Sequence, residues 1–155
     1  MLPAMALTLP KEAFLALAAL GWADGSMRKS ERSGLARAAK ECGLAGDDLA
    51  AVEASLATET KLSEFVPGDM TDWQRVLTYS LGVWLTRLDG VQSRDEHDSL
   101  AELAKRLDLK KHICERAAAA ALDIAALPTG GRPETFEFGK LATRLEEKLP
   151  QVAKT

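Results

Sequence analysis

The chain has 155 residues and a net charge of −3, and 46% of its residues are hydrophobic. This length suits a single domain that buries a core without disulfide or metal cross-links. Lys and Arg are scattered among acids and are not gathered into a stripe, which predicts no nucleic-acid partner. Abundant Ala and Leu, with 5% aromatic residues, favour helices over strands. We therefore expect one all-α domain over residues 1–155.

Two features of the sequence indicate in which cellular compartment the protein works. Cys42 and Cys114 lie in apolar helical patterns without CxxC spacing, which predicts neither a disulfide nor a zinc knuckle and favours a reducing cytoplasm. The apolar run 13–23 is shorter than the roughly 20 residues that cross a bilayer, and no basic segment precedes it. We expect a soluble, cytoplasmic protein without direct membrane insertion.

Apolar periodicity predicts about seven helices, over residues 11–23, 29–42, 48–56, 72–85, 93–107, 109–127 and about 134–149. Asp47 or Asp48 is the expected cap of the third helix, and Ser93 opens the fifth. Gly43 marks the end of the second helix. A shorter segment at 61–66 precedes a turn at 67–69. The run 117–121 consists of alanines, which predicts close approach of a neighbouring helix.

An internal repeat divides the chain. Residues 23–44 align without a gap with residues 88–109, at a constant offset of 65 residues, and the match includes polar positions that helical periodicity alone does not explain. The identical pairs are Asp24/Asp89, Gly25/Gly90, Glu31/Glu96, Leu35/Leu100, Ala36/Ala101, Ala39/Ala104, Lys40/Lys105 and Leu44/Leu109. The repeat predicts two helix–loop–helix halves, at about 10–66 and 69–127.

A buried helix that ends in "ADG", a glutamate six residues after the glycine, and a short amphipathic helix that ends in "GL" resemble the TerB-like family. This family includes the tellurite-resistance TerB proteins and the N-terminal domain of DjlA-type J-domain co-chaperones. The resemblance covers residues 10–127. It implies a compact bundle of about seven helices without a catalytic set, and a cytoplasmic stress-response accessory domain that docks on protein partners, including membrane-associated ones.

The family resemblance also implies metal binding through acidic loop residues. The interval from Gly25 to Glu31 is that between glycine and bidentate glutamate in a calcium-binding EF-hand loop. However, the first and third positions of such a loop, which should supply oxygen ligands, are apolar or basic in both copies. They are Leu20 and Trp22 in the first copy and Leu85 and Arg87 in the second. These loops are therefore not EF-hands.

Local charge separates the two copies. In the first loop, two acids meet three bases, Arg28, Lys29 and Arg32, which departs from the family pattern and argues against a cation there. In the second loop, four acids meet one base, which suits Ca²⁺ or Mg²⁺. The candidate metal ligands are Asp89, Asp95, Glu96 and Asp98, joined by Asp24 and Glu31 if folding brings the loops together. No cofactor is required by the sequence.

A second interpretation explains the same residues without a ligand. Gly25 and Gly90 can end helices in the left-handed conformation. Ser93 and Glu96 form a capping-box pattern, whereas Arg28 occupies the serine position in the first copy and leaves Glu31 with half of the box. Two interpretations stay open: these residues only begin and end helices, or they do so and also bind a cation weakly.

The sequence contains no nucleophile elbow, HExxH, P-loop or GxGxxG motif, so we expect no enzymatic activity. Trp22, beside the first loop, is the candidate aromatic contact for a partner. The favoured hypothesis is a TerB-like accessory domain that acts through protein partners and presents its acidic second loop to them. The alternative is a divalent-cation sensor or buffer.

Overall fold

The computed structural model describes residues 7–23, 25–88, 93–128, 130 and 132–153. Within these ranges the chain forms eight α-helices and one 3₁₀ turn and contains no strand, which confirms the all-α prediction. The helices are α1 Lys11–Gly21, α2 Lys29–Glu41, α3 Gly46–Ala57, α4 Asp72–Leu85, α5 Arg94–Arg106, α6 Lys111–Ala125, α7 Phe138–Lys148 and α8 Pro150–Ala153, and the 3₁₀ turn is Leu62–Glu64.

Helix α1 lies at the centre of the bundle. It packs against α2, α3, α4 and α5, and eight of its 11 residues are buried. A helix with neighbours on every side needs apolar residues around its whole circumference, as its sequence predicts. Every helix of the described ranges is too short or too polar to cross a membrane.

Helices α4 and α6 pack closely along the alanine run. Ala117, Ala120 and Ala121 are fully buried. The Ser80 hydroxyl of α4 donates a hydrogen bond of 2.8 Å to the carbonyl of Ala117. Small side chains on α6 allow this close contact, as the sequence predicts.

Helices α2 and α5 end in the same way, one repeat apart. Gly43 adopts a φ of 88° and Asp108 adopts a φ of 57°. The next amide, of Leu44 or Leu109, donates back to a carbonyl five residues earlier, at 3.1 and 3.0 Å. This is the Schellman ending, and its recurrence shows that the alignment of the two copies reflects a shared local structure.

The predicted cap of α3 is wrong. The helix begins at Gly46, and Ala45 in an extended conformation is its N-cap. Asp47 and Asp48 lie in the first turn instead. At these positions their charges face the positive end of the helix, which explains why acids occur there without acting as the cap.

The last long helix begins at Phe138, not at Glu134. Phe136 is fully buried and Phe138 is 2% exposed, and their ring centroids lie 4.6 and 5.1 Å from that of Trp84. Both rings enter the same aromatic cluster, and the chain follows a turn before α7 that the helical periodicity does not reveal. The short helix α8, which packs on α4 and α7, is also absent from the sequence prediction.

Candidate functional site

The start of α2 is held by a glutamate. The Oε1 atom of Glu31 accepts a hydrogen bond of 3.0 Å from the backbone amide of Arg28, the N-cap residue. The Arg28 guanidinium has no acceptor atom, so it cannot return a bond to the first turn as a serine would. Glu31 therefore makes half of a capping box, as the sequence predicts.

The start of α5 carries the complete motif. The Ser93 amide donates to Oε1 of Glu96 at 2.9 Å, and the Glu96 amide donates to the Ser93 hydroxyl at 3.1 Å. The predicted capping box is confirmed. Gly25 has the predicted positive φ, of 92°, but it does not end α1, which ends at Gly21 with Trp22 as its C-cap. Gly90 lies outside the described residues.

The two glutamates meet. The carboxyl groups of Glu31 and Glu96 are neighbours that interact directly, and each residue is only 4% exposed. A hydrogen bond between two carboxyl groups requires a proton on one of them. Burial raises the pKa of Glu31 from 4.5 to about 7, against the opposing effect of the Arg28 amide, and the charge of Glu96 raises it further.

This contact brings the first turns of the two repeats together, and it uses one candidate ligand from each copy. Asp95 and Asp98 are exposed, whereas Glu96 is buried, so the three predicted ligands on α5 do not lie on one face. Asp24 and Asp89 lie outside the described residues. No three His, Cys, Asp or Glu side chains of the described ranges are close enough together to hold a metal ion.

Sequence reasoning gave most weight to the second loop because of its charge. Charge counting treats each loop separately and cannot show that the first turns of α2 and α5 face each other. The signal that points to the pair is the identity of Glu31 and Glu96 within the repeat, since equivalent residues of two packed halves can meet across their interface.

Trp22, the candidate partner contact, is half-buried against the core. Its indole N–H donates a hydrogen bond of 2.9 Å to the carbonyl of Ser55. This bond joins the end of α1 to α3, so the polar edge of the ring already has an internal role.

A surface groove of about 740 Å³ lies between the start of α4 and the connection from α5 to α6. Arg75, which lines this groove, donates to the carbonyl oxygens of Met70 and Leu107, both at 3.0 Å. These bonds join backbone segments, so Arg75 is a structural residue of the groove wall.

The cysteines differ in exposure. Cys42 is 3% exposed, and burial, together with the charge of Glu41, raises the pKa of its thiol to about 12. Cys114 is half-buried beside Tyr79, and burial raises the pKa of its thiol. Cys42 therefore packs as a small apolar side chain, as its position in the helical pattern predicts.

Comparison with family models, with curated proteins and with solved structures finds no match to this chain.

Proposed function

We propose that the chain is a TerB-like accessory module of a stress response, which acts through protein partners in the cytoplasm and not by catalysis. The observation that supports this proposal best is the buried contact between Glu31 and Glu96. This contact joins the two halves of the repeat at residues that carry the family resemblance. The same two glutamates also begin α2 and α5.

The exposed acids beside this contact are the proposed partner surface. Asp95 and Asp98 project from the first turns of α5, next to the buried Glu96. A photo-crosslinker at Asp98 should give a discrete adduct in cells, while one at Gln151, an exposed position on α8, should not. Adducts at neither position, or the same adducts at both, would contradict docking through this loop.

The same contact supports a second candidate function, weak binding of Ca²⁺ or Mg²⁺. One oxygen of each glutamate accepts a backbone amide, which leaves one oxygen on each side for a cation. A hard cation takes six or more oxygen ligands, so water would have to complete the shell and affinity would be low. A cation would also displace the shared proton, so binding should be tighter at pH 8 than at pH 6.

Calorimetric titration with each cation tests this second function. We expect one weak site per chain in the wild-type protein and none in the variant Glu31→Gln/Glu96→Gln. The control Asp47→Asn/Asp48→Asn replaces the same number of carboxyl groups at exposed positions on α3 and should keep the site. Absence of heat with millimolar cation, or equal binding by all three proteins, would exclude it.

A further inference from the structure

One face of α2 is basic. Lys29, Arg32 and Lys40 follow each other at intervals of three and eight residues, which places them on one side of the helix over about 16 Å, at a rise of about 1.5 Å per residue. All three are exposed. Folding therefore creates a basic stripe that the interspersed charges of the sequence do not suggest.

The three cations are available for an external contact. Within the described ranges, no carboxylate forms an ion pair with Lys29, Arg32 or Lys40. Arg37, at the border of the face, is engaged instead with Glu41 at 3.7 Å. The small residues Ser33 and Ala36 lie between the cations, so no large side chain obstructs the stripe.

The neighbouring helix has the opposite charge. Helix α3 packs beside α2, and residues 46–60 contain four acids and no Lys or Arg. Asp47, Asp48, Glu53 and Glu59 are all exposed. Exposed acids therefore lie on the helix next to the one that carries the basic stripe.

We propose that the basic face of α2, formed by Lys29, Arg32 and Lys40, binds an acidic segment of a partner protein. Such a segment can lie along the stripe and pair with all three cations while it avoids the acids of α3. This site goes beyond the proposed contact through the second loop, because it lies on another helix and attracts a partner of the opposite charge.

Other anionic partners fit this surface less well. A flat anionic membrane would meet the acids of α3 together with the stripe, and α2 exposes no large apolar side chain that would insert among lipids. Nucleic acid would find no exposed aromatic ring on α2 for base stacking.

Titration of the isotope-labelled full chain with poly-L-glutamate, followed by NMR at low salt, tests the proposal. We expect shift changes concentrated in α2 and weaker binding as salt is raised. The variant Lys29→Gln/Arg32→Gln/Lys40→Gln should bind at least tenfold more weakly. Circular dichroism will verify that this surface variant keeps its helices.

The second repeat supplies a matched control. Arg94 and Lys105 are exposed at the positions equivalent to Lys29 and Lys40, but Asp98 lies between them. The variant Arg94→Gln/Lys105→Gln should bind poly-L-glutamate like the wild type. Glu31→Gln/Glu96→Gln should also bind it normally, so the failure of cation binding and the failure of this site are distinguishable.

Four outcomes would overturn the proposal. The first is no binding of poly-L-glutamate, and the second is binding by the triple variant that is as tight as binding by the wild type. The third is binding of phosphatidylglycerol vesicles or duplex DNA through the same face that is tighter than binding of poly-L-glutamate. The fourth is concentration-dependent self-association that the triple substitution abolishes. The last outcome would assign the acidic α3 face of a second copy as the occupant.

Discussion

Glu31 and Glu96 occupy equivalent positions one repeat apart, and their buried carboxyl groups interact directly with each other. Each also accepts the amide that begins its own helix, at 3.0 and 2.9 Å. The start of α2, the start of α5 and the contact between the two halves therefore depend on one pair of side chains. Because this pair needs a proton, the contact is linked to pH.

The first prediction concerns this linkage. Glu31 has an ordinary pKa of 4.5 and a folded-state pKa of about 7, so the folded chain holds more protons than the unfolded chain between these values. The free energy of unfolding should therefore fall as pH rises from 4.5 to 7, by about 2–3 kcal/mol from this group. Urea denaturation at pH 5 and pH 8 measures the difference.

The variant Glu31→Gln isolates this effect from other titrating groups. Glutamine keeps the side-chain size but does not ionise, so the variant should lose most of the fall in stability between pH 5 and pH 8. Glu102→Gln, at an exposed position on α5, should keep the wild-type pH dependence. The same pH dependence in all three proteins would show that the pair does not share a proton.

The glutamate pair also shows how far sequence reasoning extends. Local rules predict the Ser93 cap, the left-handed Gly25 and the half-box at Glu31, because each depends on residues close together in the chain. The contact between Glu31 and Glu96 joins residues 65 positions apart, and only the packing of α2 and α5 against α1 determines it. The repeat indicates that the two glutamates occupy equivalent positions, but it does not indicate that they lie close together in the folded chain.

The prediction for the C-terminal region was wrong for the same physical reason, because contacts between distant parts of the chain determine the structure there. Periodicity assigns residues 134–137 to a helix, yet Phe136 turns into the aromatic cluster beside Trp84. Tertiary burial of a large ring outweighs the modest helix preference of a few residues. The basic face of α2 was missed because charge was counted along the chain and not around the helix.

The second prediction concerns the cap of α5. Ser93→Ala removes the acceptor of the Glu96 amide and should lower stability by about 1 kcal/mol. Thr71→Ala is the matched control, because the Thr71 hydroxyl accepts the Gln74 amide of α4 at the same distance of 3.1 Å. Calorimetry should show similar decreases in Tm for both variants. A stable Ser93→Ala protein would argue against a capping role for the second loop.

The third prediction uses the two Schellman endings. Asp108 is exposed and has a positive φ, which costs energy for a residue with a Cβ, so Asp108→Gly should stabilise the chain by about 0.5–1 kcal/mol. Gly43→Ala should destabilise it by about 1 kcal/mol, since a Cβ there meets no atom within 4 Å and only backbone strain opposes it. Thermal unfolding measures both, and changes of the same sign would contradict their equivalence.

The fourth prediction concerns Arg37, which attaches the C-terminal region to α2. One Nη atom donates to the carbonyls of Pro133 at 3.0 Å and Phe136 at 2.7 Å, and the guanidinium lies 4.9 Å from the ring centre of Phe138. Arg37→Ala leaves both carbonyls without this donor and should cost about 2 kcal/mol. Urea denaturation measures the loss.

Hydrogen exchange should show where the loss of Arg37 acts. Amide protection should decrease mainly in α7, which follows the turn that Arg37 holds, while α1 keeps its protection because its neighbours are unchanged. Arg37→Lys retains the charge, but its side chain is shorter and has no planar guanidinium to lie over the Phe138 ring, so it should recover only part of the stability. Full recovery by lysine would mean that the guanidinium is not needed to hold this region to α2.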